Sequence, residues 1–457
     1  MILRIDKKGK SNNQMKIKIL SAFFLISALF TVGYSQTLDT AKLDKFFDTL
    51  AENNKAMGSL AVSKNGKVIY SRAVGYSQIS DKDKKPSTAS TKYRIGSITK
   101  MFTATLVFQL VEEGKLKLTD TLDKFFPNVP NAKLITVSNL LNHRSGLHNF
   151  TSDAEYLSYF TQPKTQDEML AVISKSKPDF APNAKADYSN SNYLLLGYII
   201  EKVSKKSYQA VLKEKITAKI GLSNTYLGGK TSIGADESYS YNYVGDWKPA
   251  SDTDLSIPGG AGAMVSTPTD LTKFIEALFT LKLVSETSLL QMKTMTDGYG
   301  MGMFQYPVYG KKGFGHNGGI DGFNSMLVYV PEENLAVSYI SNGMVYPLND
   351  ILLGVFAVYL NQPFSIPTFE TIAVKAEDLD KYTGVYSSPE LPLKITVTKD
   401  KTTLFAQATG QSAFPLEATA KDKFKFDTAG VIMEFDTEKN QMTLKQGGRQ
   451  FLFTKDK

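Results

Sequence analysis

Two strand pairs stand at opposite ends of the stretch from residue 40 to 360, and most of what lies between them reads as helix or loop. At the first end, Ser59-Leu-Ala-Val-Ser63 and Lys67-Val-Ile-Tyr70 flank Asn65-Gly66, a strong hairpin signal. At the other, Met326-Leu-Val-Tyr-Val330 and Leu335-Ala-Val-Ser-Tyr-Ile340 flank Pro331-Glu-Glu-Asn334. A lone hairpin is barely stable in water, so the two ends must share one antiparallel sheet. Helical patterns at 40–55, 190–203, 266–279 and 348–360 supply its covering layers. The expected fold is α+β: an antiparallel sheet flanked by helices, with a helical insertion.

Residues 363–375 carry Pro363 and Pro367 and little periodicity, and we place a linker there. Beyond it, short alternating runs at 394–398, 404–407, 424–426, 432–435, 442–445 and 450–453 are separated by turn residues such as Gly410, Gly430 and Asn440. Regular short strands of this kind predict a small β-barrel over 376–457. The preceding unit then spans 36–362.

The first 35 residues read as an export signal. Lys16 and Lys18 precede an apolar core, Ile19 to Val32, and Gly33-Tyr34-Ser35 offers small residues for cleavage near Ser35. Met15 is an alternative start. This predicts a periplasmic or secreted protein. The net charge of +8 is concentrated here: six Lys/Arg and one Asp leave only +3 for the rest. That balance, without a basic stripe, gives no case for nucleic acid. With no cysteine and only three histidines, the chain offers no disulfide and no local metal-ligand spacing, so neither a metal nor another cofactor is expected.

Chemistry points to Arg94-Ile-Gly-Ser-Ile-Thr-Lys100. Met101, Phe102, Leu106, Leu110 and Val111 are expected on one face of a helix that begins just after Ser97. Lys100 follows Ser97 by one helical turn, which puts amine and hydroxyl on the same side. A desolvated lysine can be neutral and take a serine's proton. A second Ser-x-x-Lys, Ser174 to Lys177, is followed by Pro178 and reads as a solvated turn. Further along, Tyr188-Ser189-Asn190 precedes a helix, which lets Tyr188 act on a proton and Asn190 meet a substrate amide. His316-Asn317-Gly318, followed by Gly319, lies at the mouth of the later hairpin, where glycines admit a ligand close to the backbone. The overlapping Gly-x-Gly-x-x-Gly from Gly313 to Gly318 lacks the strand-to-helix context of a dinucleotide site.

Ser97-x-x-Lys100, Tyr188-x-Asn190 and His316-x-Gly318 occur in one order, each in fitting context. In this the chain resembles the serine β-lactamase and penicillin-binding family, in its class C and D-alanyl-D-alanine carboxypeptidase branch. Leu140-Leu-Asn-His-Arg-Ser-Gly-Leu147 and the stretch from Gly259 to Leu271 look similar too, so the likeness covers about residues 40–360. The tail resembles the lipocalin-like β-domain often appended to such hydrolases. The resemblance implies an acyl-enzyme on Ser97, with Lys100 and Tyr188 handling the proton. It implies an oxyanion hole from the backbone N–H groups of Ser97 and Gly319. Asn190, His316, Asn317 and Gly318 would contact substrate. Where β-lactamases of this branch carry Lys-Thr-Gly, this chain has His316-Asn317-Gly318. A histidine near pKa 6.5 should anchor a carboxylate weakly or in a pH-dependent way. The expected partner is therefore a small peptide, amide or ester, with peptidoglycan as one polymeric source. Efficient β-lactam hydrolysis, or acylation without turnover in a sensor, are the alternatives.

Overall fold

The computed structural model describes residues 38–446 and 449–456; the expected export signal lies outside them. Helix α1 (Thr40–Glu52) is capped by Asp39, whose carboxylate accepts from the Lys42 N–H, and it buries Leu43, Phe46, Phe47 and Leu50. Strands β1 (Ala56–Lys64) and β2 (Lys67–Val74) follow, turned by Asn65 and Gly66 at positive φ. The middle of the chain holds α2 (Thr99–Glu112), α3 (Asn190–Ser204) and α4 (Pro268–Phe279) among shorter turns. Then come β3 (Phe304–Val308), β4 (Lys311–Ile320), β5 (Phe323–Val330), β6 (Leu335–Met344) and α5 (Leu348–Tyr359).

The sheet runs in the order β3-β4-β5-β6-β1-β2. Its two ends in sequence meet at β1 and β6, which pair antiparallel from Ala56 opposite Met344 to Lys64 opposite Leu335. Alternation splits each strand between two cores. Met326, Val328 and Val330 pack with α1 and α5, while Leu327 and Tyr329 join the cluster built on α2, α3 and α4. Burial on both faces is why β5 and β6 read as nearly continuous apolar runs.

Two expectations need correction. The apolar residues of α2 do not form one stripe, because every residue from Thr99 to Leu110 is buried. The helix is the central post of the larger core, so its polar members, Thr103 and Gln109 among them, are buried with internal partners. His316 does not sit at a hairpin mouth either; it lies inside β4, opposite Leu327. Strands β3 and β4 escaped the sequence pattern because β4 devotes Gly313, Gly315, Gly318 and Gly319 to close backbone approach rather than to strand propensity. The Gly-x-Gly-x-x-Gly pattern is thus wholly strand.

The C-terminal part is a closed barrel of eight strands: β7 (Gly384–Ser387), β8 (Lys394–Asp400), β9 (Thr403–Ala408), β10 (Phe414–Ala420), β11 (Lys423–Phe426), β12 (Val431–Asp436), β13 (Gln441–Gln446) and β14 (Arg449–Lys455). β7 and β10 add to the six runs legible in sequence. Tyr382, Tyr386, Phe424, Phe435 and Phe453 fill the interior. The segment 363–375 is tied down along its length. The Phe364 ring stands edge-on to Phe46 at 5.0 Å. Phe369 has Lys55 Nζ and Lys425 Nζ 5.1 and 4.5 Å from its ring, and Lys55 Nζ reaches Asp427 at 2.7 Å.

Candidate active site

Ser97 lies in a single 3-10 turn, Gly96–Ile98, that leads directly into α2. Two glycines bring this turn against β4. Gly96 has φ +50°, and a Cβ there would stand 2.8 Å from the Gly319 nitrogen; a Cβ on Gly318 would stand 2.1 Å from the Ile95 oxygen. The direction of Gly319 follows from strand parity. Both turns flanking β4, 309–310 and 321–322, are two residues long. The pairs closing such turns exchange both hydrogen bonds, so odd-numbered residues of β4 face β3 and even-numbered ones face β5. β3 stops at Phe304, opposite Gly315. The Gly319 N–H is therefore claimed by neither strand, and it stands beside the Ser97 turn.

Lys100 is fully buried. Its Nζ lies 3.0 Å from Ser97 Oγ, 2.8 Å from Asn190 Oδ1 and 2.7 Å from the Ala261 carbonyl oxygen. The last two atoms can only accept. A neutral amine has two N–H groups to give them, which leaves its lone pair for the Ser97 hydroxyl proton. Burial, with no carboxylate partner, pushes the Lys100 pKa well down and favours that neutral state. The ring faces of Tyr188 and Tyr193, 4.8 and 5.7 Å from Nζ, return a smaller stabilisation to the charged form.

The Tyr188 hydroxyl donates to Ser97 Oγ at 2.7 Å. Burial drives its pKa up, so Tyr188 keeps its proton at rest. Asn190, expected to meet a substrate amide, has both ends of its own amide engaged. Oδ1 takes the Lys100 N–H, and Nδ2 donates to Thr151 Oγ1 at 3.0 Å. Asn190 lines the cleft; its oxygen holds Lys100, and a second Nδ2–H is left for a substrate amide. His316 is buried, with Nδ1–H donating to the Asn317 carbonyl at 2.5 Å. Burial first, then the Lys100 charge, push its pKa down to about 3, so the ring is neutral throughout the neutral range and the expected titration near 6.5 does not occur. Asn317 is exposed, with its Oδ1 3.4 Å from the Tyr306 hydroxyl.

His143 is a residue that spacing did not assign to the site. Its Nδ1 accepts from the Ser189 N–H and from Asn192 Nδ2, both at 3.2 Å, and its ring lies 4.5 Å from that of Tyr188. It holds the tyrosine from behind. The only sequence signal was its place in Leu140–Leu147.

Ser97 opens onto a cleft of about 310 Å³. Phe150, Tyr156, Phe160 and Ile320 give it an apolar wall; Asn242, Ser251, Thr253 and Asp321 give it polar atoms. No lysine, arginine or histidine lines it among the described residues. Arg94, three residues before Ser97, is buried, with its guanidinium spent on Asp321, Asp252, Thr231 and the carbonyls of Thr253 and Gly229. Among the described residues, no group of three or more histidine or acidic side chains is arranged to hold a metal ion.

A family model described as Beta-lactamase matches residues 43–354. Penicillin-binding protein 4* of Bacillus subtilis (strain 168) is 25% identical over 429 residues, covering 86% of this chain and 93% of that protein. The teichoic acid D-alanine hydrolase of Staphylococcus aureus (strain MRSA252) is 32% identical over 303 residues, covering 64% and 72%. The crystal structure of D-amino acid amidase from Ochrobactrum anthropi SV3 superimposes with a TM-score of 0.62 at 27% identity, over 70% of this chain and 98% of that one.

Proposed function

The chain belongs to the β-lactamase family and is a serine hydrolase, and on that premise we propose that it cleaves D-aminoacyl amides or esters through an acyl-enzyme on Ser97. The observation that carries the substrate class is the cleft without a cation. A carboxylate-terminated peptide or a penicillin brings a negative charge that needs a partner. Lys100 is occupied, Arg94 is occupied, and His316 is neutral. An amide or ester, with or without a free ammonium, makes no such demand. Two relatives bear names of this chemistry, an amidase of D-amino acids and a hydrolase of teichoic acid D-alanine.

The mechanism follows from the resting hydrogen bonds. Ser97 Oγ attacks the acyl carbon as its proton passes to Lys100 Nζ. The N–H groups of Ser97 and Gly319 receive the oxyanion. Tyr188 gives its phenol proton to the departing nitrogen or oxygen. The phenolate left behind has the new ammonium against its ring. Water then attacks the acyl-enzyme, loses its proton to Tyr188, and Ser97 leaves with the proton held by Lys100. Each group returns to its starting state.

Intact-mass analysis with a fluorophosphonate, on wild type and Ser97→Ala, tests the nucleophile; one adduct on wild type and none on the variant is expected. Competing D-alanine p-nitroanilide, a D-Ala-D-Ala-terminated peptide and a penicillin then tests the class. Faster turnover of the penicillin or of the free-carboxylate peptide would sink it. We also propose export through residues 1–35, checked by the N-terminal residue of protein recovered outside the cytoplasm. Residues 36–362 are proposed to hold the chemistry; undiminished labelling of a chain ending at residue 375 is the expected result, and loss of labelling in a folded truncation would refute it.

A further inference from the structure

His148 stands just before the 3-10 turn Phe150–Ser152, part of the cleft wall, and the mechanism above does not use it. Its Nδ1 lies 2.8 Å from Asp179 Oδ1 and its Nε2 lies 3.1 Å from Asp153 Oδ1. Both partners are carboxylates, which only accept. A neutral imidazole has one N–H and would set a bare nitrogen against one of them. The imidazolium satisfies both.

The short segment that carries the ring is bonded to the start of α3. The His148 carbonyl accepts from the hydroxyls of Ser189 and Ser191, at 3.3 and 2.6 Å. Asn149 Oδ1 accepts the Asn190 N–H at 3.0 Å, and Thr151 Oγ1 accepts from Asn190 Nδ2 at 3.0 Å. Asn190 in turn holds Lys100. Phe150 and Thr151 also line the cleft. The charged groups at the ring are Asp153, beyond the 150–152 turn, and Asp179, in the loop that precedes α3; no charged group at the start of α3 bonds the ring.

We propose that His148 is a positioning residue for the reaction: as an imidazolium bridging Asp153 and Asp179 it holds residues 148–153 against α3, and so fixes Asn190 and the Lys100 amine beside Ser97. The inference rests on the reading of Ser97 and Lys100 given above. Its consequence is a pH profile with two origins. On the acid side, reactivity rises as Lys100 loses its proton. On the alkaline side, it falls as His148 loses its own. The two carboxylates, Asp179 first, hold the His148 pKa above the ordinary value, so the clamp is lost only as pH rises past that raised value.

The test is the rate at which a fluorophosphonate labels Ser97, followed from about pH 5 to pH 10 in wild type, His148→Gln and Asp179→Asn. Wild type should show a bell. His148→Gln should lose the alkaline limb, keep the acid limb, and run roughly three- to tenfold slower at its maximum, the size of one ordinary hydrogen bond. Asp179→Asn should move the alkaline limb to lower pH. A merely structural role would lower the whole curve without changing its shape, and a persisting alkaline limb in His148→Gln would overturn the proposal. Nitrogen NMR of wild type tests the clamp independently of labelling. Two protonated ring nitrogens at about pH 6, below the ordinary histidine value, and an Asn190 side-chain amide that moves with the His148 titration are expected. An amide indifferent to that titration overturns the positioning role, whereas a wild type that takes no label overturns the assignment of Ser97.

Discussion

Arg94 and Lys100 are buried basic side chains on either side of Ser97, the proposed nucleophile, and the protein treats them in opposite ways. Arg94 is enclosed by two carboxylates, Asp252 at 2.7 Å and Asp321 at 3.0 Å, with Thr231 and two carbonyls taking more of its N–H groups. Lys100 is given two neutral acceptors and a hydroxyl. A buried ion without counter-charge gives up its proton, while a buried ion pair keeps it. So Arg94 serves as a fixed bolt between the residues entering the Ser97 turn and the β4–β5 turn, and Lys100 is left free for the base's role proposed above. The lesson is that burial alone does not assign a role; the charge of the neighbours does.

The sharpest way to break this contrast is to remove Lys100. Lys100→Met should lower kcat/KM by roughly 10²–10⁴-fold, the range of a positioned general base, while the protein stays folded. Stability should also lose part of its pH dependence. The unfolded chain binds a proton at Lys100 below about 10.4, whereas the folded chain does not until a much lower pH. Wild type is therefore destabilised as pH falls through that window, and the variant should show a shallower slope in urea titrations. Unchanged turnover would end the base assignment.

Next in size is Gly318→Ala. The added methyl would meet the Ile95 oxygen at 2.1 Å, and backbone on both sides must yield. Pushing β4 away from the Ser97 turn displaces the Gly319 N–H, and losing one oxyanion donor costs about 10²–10³ in kcat. The fall should appear in kcat with near-normal thermal unfolding. A large loss of Tm with intact kcat would say that the contact is structural only.

Arg94→Met should reverse the pattern. It strands the Asp321 carboxylate, which is only 1% exposed, and breaking a buried pair in this way costs about 3–5 kcal/mol. Chemical denaturation should show that loss, while the folded fraction keeps most of its labelling rate. Equal losses in both variants would erase the distinction between bolt and base.

These residues differ in how far the sequence announces them. Ser97, Lys100 and Tyr188 were legible because local geometry carries the signal: one helical turn, and a tyrosine placed just before a helix. The sheet was legible from its two apolar hairpins. What was hidden depends on pairing across the chain. Nothing near Arg94 points to Asp321, which arrives from a different strand turn. β4 was hidden because its glycines serve contact with Gly96 and Ile95, and the all-round burial of α2 was hidden because Thr103 and Gln109 look like a solvent face until their partners arrive. The place of Asn190 at the start of a helix is legible in sequence, whereas its hydrogen bond to Lys100 is visible only once the two helices meet.

The smallest effect at neutral pH should come from His316, the residue that most separates this chain from a Lys-Thr-Gly enzyme. Were its ring a charged anchor, His316→Gln would alter substrate binding near pH 7 and remove a titration from the rate profile. The structure instead buries it neutral against Phe304 and Tyr188, with ring centroids 4.7 and 6.3 Å away. Glutamine keeps a donor for the Asn317 carbonyl and is neutral at every pH, so kcat/KM at neutrality should change by less than about threefold, well under the contribution of one hydrogen bond to a charged group. The difference should emerge in acid. The unfolded chain protonates this histidine near 6.5, whereas the folded one resists down to about 3, so wild type loses stability as pH falls between those values. His316→Gln removes that share of the loss and should unfold at lower pH than wild type. A variant equally sensitive to acid, but slowed at neutral pH, would mean that the ring carries charge in the working enzyme and that the cleft can hold a carboxylate after all.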